Sequence, residues 1–172
     1  MKEKIFIEGR KRLSGSIPIS GAKNSCLTLM PVSLLSDCTL TLKNVPNLTD
    51  VNTMKALLES LGCVVQYQKA DKTLDLKTPD DCLFLADYEI VKKMRASILV
   101  LGPLLARFGQ AIVALPGGCA IGARPINLHL MALEALGTKF SIENGYVKGK
   151  VSGCLKGCKI EFPFRSVGAT AN

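Results

Sequence analysis

The sequence of 172 residues contains no tryptophan, and its aromatic content is only 5%. Proteins that hold single-stranded nucleic acids stack the bases on aromatic rings, so this scarcity weighs against such a partner. The net charge of +8 nevertheless favours an anionic ligand. A small phosphorylated molecule, bound where several cations meet, fits this composition better than nucleic acid does.

Long apolar runs are also missing. The longest, residues 96–106, lies between Arg95 and Arg107 and is far shorter than the roughly 20 residues of a transmembrane helix. The first eight residues lack the apolar core of a signal peptide and alternate as a strand does. Because there is no secretion signal and the cysteine count of seven is odd, we expect a soluble protein in a reducing cytoplasm, with no membrane contact.

Metal ligands are scarce as well. The sequence has one histidine and no CxxC pair, so we expect no metal site and no cofactor. Cys26, Cys38 and Cys63 fall in apolar patterns and are expected to be buried thiols. Cys154 and Cys158 could form a disulfide or a metal pair, but two spare thiols in a turn are the favoured interpretation.

One cysteine lies in a segment of a different kind, residues 115–125 (LPGGCAIGARP). Glycines flank Cys119 on both sides, which removes side-chain bulk and lets the backbone approach a ligand. Arg124 follows five residues later, before Pro125 at the expected first position of a helix, where a guanidinium can hold an anion. This segment is predicted to be an active-site loop.

Periodicity predicts an alternation of strands and helices. Strands are expected at residues 4–8, 16–20, 38–42, 63–68, 73–77, 110–115, 138–143, 146–150 and 159–162. Helices are expected up to residue 35 with a bend at Pro31, from an N-cap at Asp50 to a terminating Gly62, from Arg95 through Pro103, over 125–136 before Gly137, and from Ser166 onward.

The order of these elements repeats. Residues 58–62 (LESLG) match residues 133–137 (LEALG) at an offset of 75, and Pro31 matches Pro103 at an offset of 72. The pattern predicts an α/β fold of repeated βαβαββ units that share a core, at about 15–78, 79–150 and an incomplete 151–172. Because the third unit stops inside a helix, we expect a truncated chain.

Each unit has a cation at the start of a helix: Lys23, Arg95 and Arg165. Helix N-termini attract anions through their free N–H groups and the helix dipole. If the three units surround a pseudo-threefold axis, these cations form one anion-selective cleft. The alternative is that each is an ordinary surface cation.

Four segments carry a resemblance to a known family: residues 20–24 (SGAKN), 94–103 (MRASILVLGP), 115–125 and 166–170 (SVGAT). They resemble the UDP-N-acetylglucosamine 1-carboxyvinyltransferases, or enolpyruvyl-UDP-GlcNAc synthases, in order along the whole chain. The related 5-enolpyruvylshikimate-3-phosphate synthases share the repeats and are not expected to carry the cysteine loop. The resemblance implies an enolpyruvyl-transferase-like fold (an inside-out α/β barrel) of two domains, in proteins more than twice this length.

In such an enzyme, residues 1–21 would belong to the other domain and residues 22–172 to most of one domain, with the second domain absent. The implied reaction transfers the enolpyruvyl group of phosphoenolpyruvate to the 3-hydroxyl of UDP-N-acetylglucosamine and releases phosphate, the first committed step of peptidoglycan synthesis. The implied partners are these two small molecules. The family's acidic general base would lie in the missing half.

The resemblance also implies site residues. Cys119 would donate a proton to phosphoenolpyruvate and could add to it covalently, and Lys23 and Asn24 would bind it. The residues implied for UDP-N-acetylglucosamine are Arg95, Arg124, Pro125, Ile126, Asn127, Leu128, Phe164, Arg165, Ser166 and Val167.

Two positions depart from the family's pattern, and one polar residue needs a separate interpretation. Asn127 replaces a usual aspartate, and Phe164 replaces a common lysine, for which Arg165 could compensate. His129 lies on the apolar face of its helix, equivalent to Met54, and is expected to be structural.

Two other functions remain open: a ligand-binding domain without turnover, and a basic nucleic-acid-binding module.

Overall fold

A computed structural model describes residues 4–10, 12–115 and 126–172. The α-helices in these ranges are α1 (Lys23–Leu29), α2 (Thr49–Ser60), α3 (Tyr88–Val91), α4 (Leu101–Phe108), α5 (Asn127–Ala135) and α6 (Val167–Ala171). Two 3-10 helices span Met30–Leu35 and Arg95–Val100. The strands are β1 (Leu40–Leu42), β2 (Val64–Gln68), β3 (Thr73–Lys77), β4 (Leu85–Ala86), β5 (Gln110–Ala114), β6 (Thr138–Glu143) and β7 (Tyr146–Val151).

The strands form two sheets with a shared topology. The first has the order β1-β3-β2 and is antiparallel, and the second has the order β4-β5-β7-β6. In the second sheet β4 pairs with β5 in parallel, whereas β5, β7 and β6 pair antiparallel. The order β5-β7-β6 reproduces β1-β3-β2, with α5 and α2 at equivalent places in the chain. The predicted repeated α/β architecture is therefore confirmed.

The equivalent helices α2 and α5 end in the same way. Gly62 and Gly137 follow α2 and α5 with φ of +96° and +105°, a left-handed conformation that terminates a helix. Both predicted stops are confirmed. The predicted N-cap is wrong, because α2 begins at Thr49 and Asp50 lies in its first turn. The Asp50 carboxylate accepts a hydrogen bond from Lys23 Nζ at 2.7 Å, and no side chain caps α2.

A proline lies near the junction of the 3-10 helix and the α-helix in each repeat. The helix that starts at Lys23 changes from α to 3-10 geometry at Met30, immediately before Pro31. Proline has no N–H for an α-helical bond, so the predicted bend takes this form. Pro103 lies in the first turn of α4, where the missing N–H removes no hydrogen bond.

Three predicted strands are wrong. Residues 4–8, 16–20 and 159–162 belong to neither sheet, although each is described in full. A strand needs a neighbour to accept its backbone hydrogen bonds, and these segments have none among the described strands. Ile17 and Ile19 are each 83% exposed. Alternating sequence alone therefore does not make a strand.

Two short elements lie where no element was predicted. Strand β4 has only two residues, and helix α3 has four. Asp87 caps α3 by accepting the Glu89 N–H at 2.8 Å. Neither element is long enough to show a period in sequence.

The two repeats share one apolar core. Met54 and Leu58 from α2, Leu74 from β3, Leu104 from α4 and Val113 from β5 are all fully buried and belong to the same cluster. Helices α1 and α2 contact the 3-10 helix Arg95–Val100, and α4 contacts the 3-10 helix Met30–Leu35. Among the described residues, no helix has the length and apolar character to cross a bilayer.

Five cysteine predictions fall on described residues, and four of them are confirmed. Cys26 and Cys63 are buried, whereas Cys38 is exposed. Cys38 lies before β1, where its N–H donates to Ser36 Oγ in a local turn, so the predicted burial is wrong. Cys154 and Cys158 are exposed free thiols, as expected.

Candidate functional site

A cavity of about 410 Å³ opens between helices of the two repeats and α6. Asn24 of α1 comes from the first repeat, Arg95 and His129 come from the second, and Ser166 and Val167 come from the start of α6. Helix α1 packs against the 3-10 helix Arg95–Val100, and α5 packs against α6. Residues as far apart in sequence as Asn24 and Val167 therefore line one space.

A second concavity of about 630 Å³ adjoins the first. Phe164 and Arg165 line it, and it shares Ser166 and Val167 with the cavity. Phe164 is 60% exposed and Val167 is 88% exposed, so apolar surface and a guanidinium lie together at this end. The Ser166 side chain accepts the Ala169 N–H and caps α6.

The three expected cations lie at the expected helix starts, but they do not all line one cleft. Lys23 is the first residue of α1, Arg95 begins its 3-10 helix, and Arg165 precedes the cap of α6. Arg95 lines the cavity, and Arg165 lines the adjoining concavity. Lys23 is ion-paired with Asp50 at 2.7 Å, which partly neutralises its charge.

His129 brings a buried polar group to the cavity. Its side chain is on α5, and the residue is 6% exposed. Burial lowers the pKa of His129, and the positive charge of Arg95 lowers this pKa further, so the imidazole is neutral at neutral pH. Its Nδ1 lies 3.1 Å from Nδ2 of Asn172. The burial of His129 agrees with its predicted place on the apolar face of the helix, and a purely structural role for it stays a prediction.

The start of α5 holds three further predicted residues. Ile126 and Leu128 are buried, and Asn127 is exposed at the first helical position. They directly precede His129, so this end of the helix adjoins the cavity. The predicted site residues Cys119, Arg124 and Pro125 lie outside the described residues.

Sequence reasoning missed two residues of the cavity region. Gly168 lines the cavity, and Asn172 contacts both His129 and the backbone of Gly102. The segment 166–170 marked the start of α6, but nothing in the sequence indicated what Asn172 would contact. Among the described residues, no group of three or more metal-ligating side chains could hold an ion.

The fold is that of the enolpyruvyl transferases. The chain superposes on the enolpyruvyl transferase NikO from Streptomyces tendae with a TM-score of 0.72 and 22% identity, covering 87% of this chain and 32% of that one. For EPSP synthase from Acinetobacter baumannii the TM-score is 0.66 at 15% identity, with 91% and 36% covered. These likenesses confirm the expected fold class.

The family model described as EPSP synthase (3-phosphoshikimate 1-carboxyvinyltransferase) matches residues 7–172, and the chain belongs to this family. Over 170 residues it is 58% identical to the UDP-N-acetylglucosamine 1-carboxyvinyltransferase of Dinoroseobacter shibae and 56% identical to that of Ruegeria pomeroyi. Each alignment covers 99% of this chain and 40% of the relative. The chain thus spans about two fifths of the length of these relatives.

Proposed function

We propose that this chain carries one part of the active site for enolpyruvyl transfer from phosphoenolpyruvate to the 3-hydroxyl of UDP-N-acetylglucosamine. The reaction releases phosphate and commits the sugar to peptidoglycan synthesis, so it would serve cell-wall growth, cell shape and division. The six cysteines that the structure describes are free thiols, which suits a reducing cytoplasm.

The cavity between the repeats is the observation that carries this proposal. It gathers Asn24, Arg95, Ser166 and Val167, four of the residues assigned to the two substrates, from three separate stretches of sequence. Both substrates are anions, and Arg95 supplies positive charge inside the cavity. The 58% identity to a UDP-N-acetylglucosamine 1-carboxyvinyltransferase supports the choice of this sugar nucleotide over a shikimate acceptor.

The proposed chemistry starts at Cys119. The thiol gives its proton to the methylene carbon of phosphoenolpyruvate, which makes C2 electrophilic. The sugar hydroxyl adds to C2 while its proton passes to the family's acidic general base. Phosphate then leaves, and the methyl group returns one proton to the Cys119 thiolate, which restores the double bond as an enol ether. Lys23 and Asn24 would hold phosphoenolpyruvate, and nearby guanidinium groups would stabilise phosphate charge as the adduct forms.

The sugar nucleotide would occupy both concavities. Arg95 and Arg124 would bind its diphosphate, since guanidinium groups pair with phosphate through two parallel hydrogen bonds. Residues 125–128 at the start of α5 and residues 164–167 before α6 would contact the nucleotide. The exposed Phe164 ring and the adjacent Arg165 offer an apolar surface and a charge at the outer end.

A second candidate function is ligand binding without turnover. The chain spans 40% of its relatives' length, and the family's general base would be located beyond this part. Such a chain would retain the cavity and bind the substrates weakly, while proton removal from the sugar hydroxyl would lack its base.

Phosphate release separates the two functions. The 172-residue chain is incubated with phosphoenolpyruvate, with and without UDP-N-acetylglucosamine, beside the Cys119→Ser variant. Release that requires the sugar nucleotide and disappears in the variant supports the transferase. Sugar-nucleotide binding measured by calorimetry without release supports the binding domain, and absence of both binding and release rejects the proposal.

A further inference from the structure

The side chain of Asn172 bridges two elements beside the cavity. The Gly102 N–H donates to Asn172 Oδ1 at 3.0 Å, and Asn172 Nδ2 lies 3.1 Å from His129 Nδ1. A backbone N–H can only donate, so the amide oxygen must face Gly102 and the amide nitrogen must face the imidazole. The orientation of the carboxamide is fixed by this contact.

The bridge determines the tautomer of His129. An amide nitrogen only donates, so Nδ1 must accept its hydrogen bond through a lone pair. The single proton of the neutral imidazole then resides on Nε2. Burial and the Arg95 charge lower the pKa of His129 and keep the ring in this neutral form.

The protonated nitrogen lies beside Gly168, which also lines the cavity. A Cβ placed on Gly168 would lie 3.6 Å from Nε2 and 3.8 Å from Cε1, in ordinary van der Waals contact. A side chain at this position would therefore contact the edge of the ring that carries Nε2, and glycine places no side-chain atom there.

The position equivalent to His129 in the first repeat holds an apolar residue. Met54 is equivalent to His129 and is fully buried in the core, so the helix position packs well with an unbranched apolar side chain. Burying an imidazole instead costs free energy unless its polar atoms find partners. Asn172 satisfies Nδ1, and within residues 4–10, 12–115 and 126–172 no group accepts a hydrogen bond from Nε2–H of this cavity-lining ring.

From this geometry we propose that His129 donates an Nε2–H hydrogen bond to an oxygen of the anionic ligand in the cavity. The identity of the ligand as a sugar diphosphate rests on the proposed function. Arg95 supplies the charge for the anion, and a neutral ring can donate beside the guanidinium without the repulsion that a histidinium would suffer. His129 thus binds the ligand through Nε2, and Asn172 positions the ring through Nδ1.

The chain has one histidine, so nitrogen-15 NMR of the imidazole reports on this ring alone. In the ligand-free protein we expect Nδ1 to have the shift of an unprotonated ring nitrogen and Nε2 the shift of a protonated one. UDP-N-acetylglucosamine and, separately, inorganic phosphate are then titrated. We expect the chemical shifts of Nε2 and its proton to change more than the chemical shift of Nδ1.

Three variants separate binding from packing. His129→Gln keeps an amide donor near the position of Nε2, and His129→Met introduces the residue of the first repeat, which packs but cannot donate. Gly168→Ala leaves His129 unchanged and covers Nε2 with a methyl group. By calorimetry we expect about tenfold weaker sugar-nucleotide binding in His129→Met and Gly168→Ala, and a smaller loss in His129→Gln. Urea unfolding of the same variants shows whether the Met and Ala proteins remain as stable as the wild type.

The outcomes distinguish this inference from the proposed function. If UDP-N-acetylglucosamine binds but the Nε2 signal does not respond, or His129→Met binds as tightly as the wild type, the inference is overturned and the proposed function stands. If only inorganic phosphate binds and shifts the Nε2 signal, hydrogen-bond donation from His129 to an anion is supported. UDP-N-acetylglucosamine is then rejected as the ligand. A ring protonated on Nδ1, or no binding of either probe, overturns the inference.

Discussion

Arg107 on α4 donates from Nη1 to the Ser36 carbonyl at 2.7 Å, and this hydrogen bond ties the second repeat to the first. The same nitrogen lies 3.4 Å from the Leu34 carbonyl. Nη2 donates to Asp80 at 2.8 Å, but the Asp80 side chain is 93% exposed. The Arg107 side chain is only 16% exposed. The contact with the Leu34 carbonyl is therefore partly buried, whereas the Ser36 contact and the ion pair reach solvent.

The first prediction compares the two kinds of contact. Arg107→Met should lower the free energy of unfolding by about 1.5–3 kcal/mol, because charged hydrogen bonds to the carbonyls of Leu34 and Ser36 are lost. Asp80→Ala should lower it by less than about 0.5 kcal/mol, because an exposed ion pair contributes little. Urea denaturation of both variants measures this difference. Equal losses would show that the ion pair, and not the carbonyl contacts to the first repeat, accounts for the stabilisation by Arg107.

The second prediction concerns Lys23. Its ammonium is paired with Asp50, and the two side chains are 46% and 36% exposed. Asp50→Asn should change the free energy of unfolding by less than about 1 kcal/mol, since solvent screens such a pair. If Lys23 binds phosphoenolpyruvate as proposed, the variant should bind it more tightly, because the lysine loses a competing anion.

Calorimetric titration with phosphoenolpyruvate provides the measurement, and Lys23→Met provides the control. The double variant should bind no better than Lys23→Met alone, because the gain depends on the lysine. If the double variant binds phosphoenolpyruvate more tightly than Lys23→Met alone, the gain in affinity is due to a cation other than Lys23.

The third prediction is a pH dependence of stability due to His129. Its pKa is lowered in the folded state from the ordinary 6.5. Between the folded and the unfolded pKa, the unfolded chain binds a proton that the folded chain does not bind. Stability that is present above 6.5 is therefore lost as the pH falls toward the folded pKa.

Urea unfolding of the wild type and of His129→Met over the acidic range checks this prediction. The wild type should lose more stability than the variant as the pH falls below 6.5, and the difference between the two curves isolates the histidine. Parallel curves would mean that the ring titrates alike in the folded and unfolded chain.

The fourth prediction ranks the thiols. Burial raises the pKa of Cys26 and of Cys63, and it raises the pKa of Cys82 to about 12, with the neighbouring Cys63 contributing. Because the thiolate is the nucleophile, these three should react slowly with a maleimide. The exposed Cys38, Cys154 and Cys158 should react first.

Peptide mass spectrometry after brief labelling of the native protein gives the order of modification. The same labelling in denaturant should abolish the difference, which makes it the control for peptide detection. Native labelling of Cys82 as fast as Cys154 would contradict its burial. For Cys119, protection by added UDP-N-acetylglucosamine would support its proposed place in the site.

Features with a local physical cause could be read from the sequence. A glycine stops α2 and α5 because it tolerates positive φ, and Pro31 interrupts the first α-helix because it lacks an N–H. The repeated order of elements and the helix starts at Lys23, Arg95 and Ser166 also depend on neighbours in sequence. These features determined the fold class and located the anion-binding candidates.

Features that need a distant partner were decided only by the tertiary structure. Residues 16–20 alternate as a strand does and yet join no sheet in the described part of the chain, and Asp50 binds Lys23, 27 positions away, instead of capping its helix. Asn172 meets His129 and Gly102 across 43 and 70 positions. The sequence indicates which groups can donate or accept a hydrogen bond, but only the packing of the repeats brings a particular donor within 3 Å of a particular acceptor.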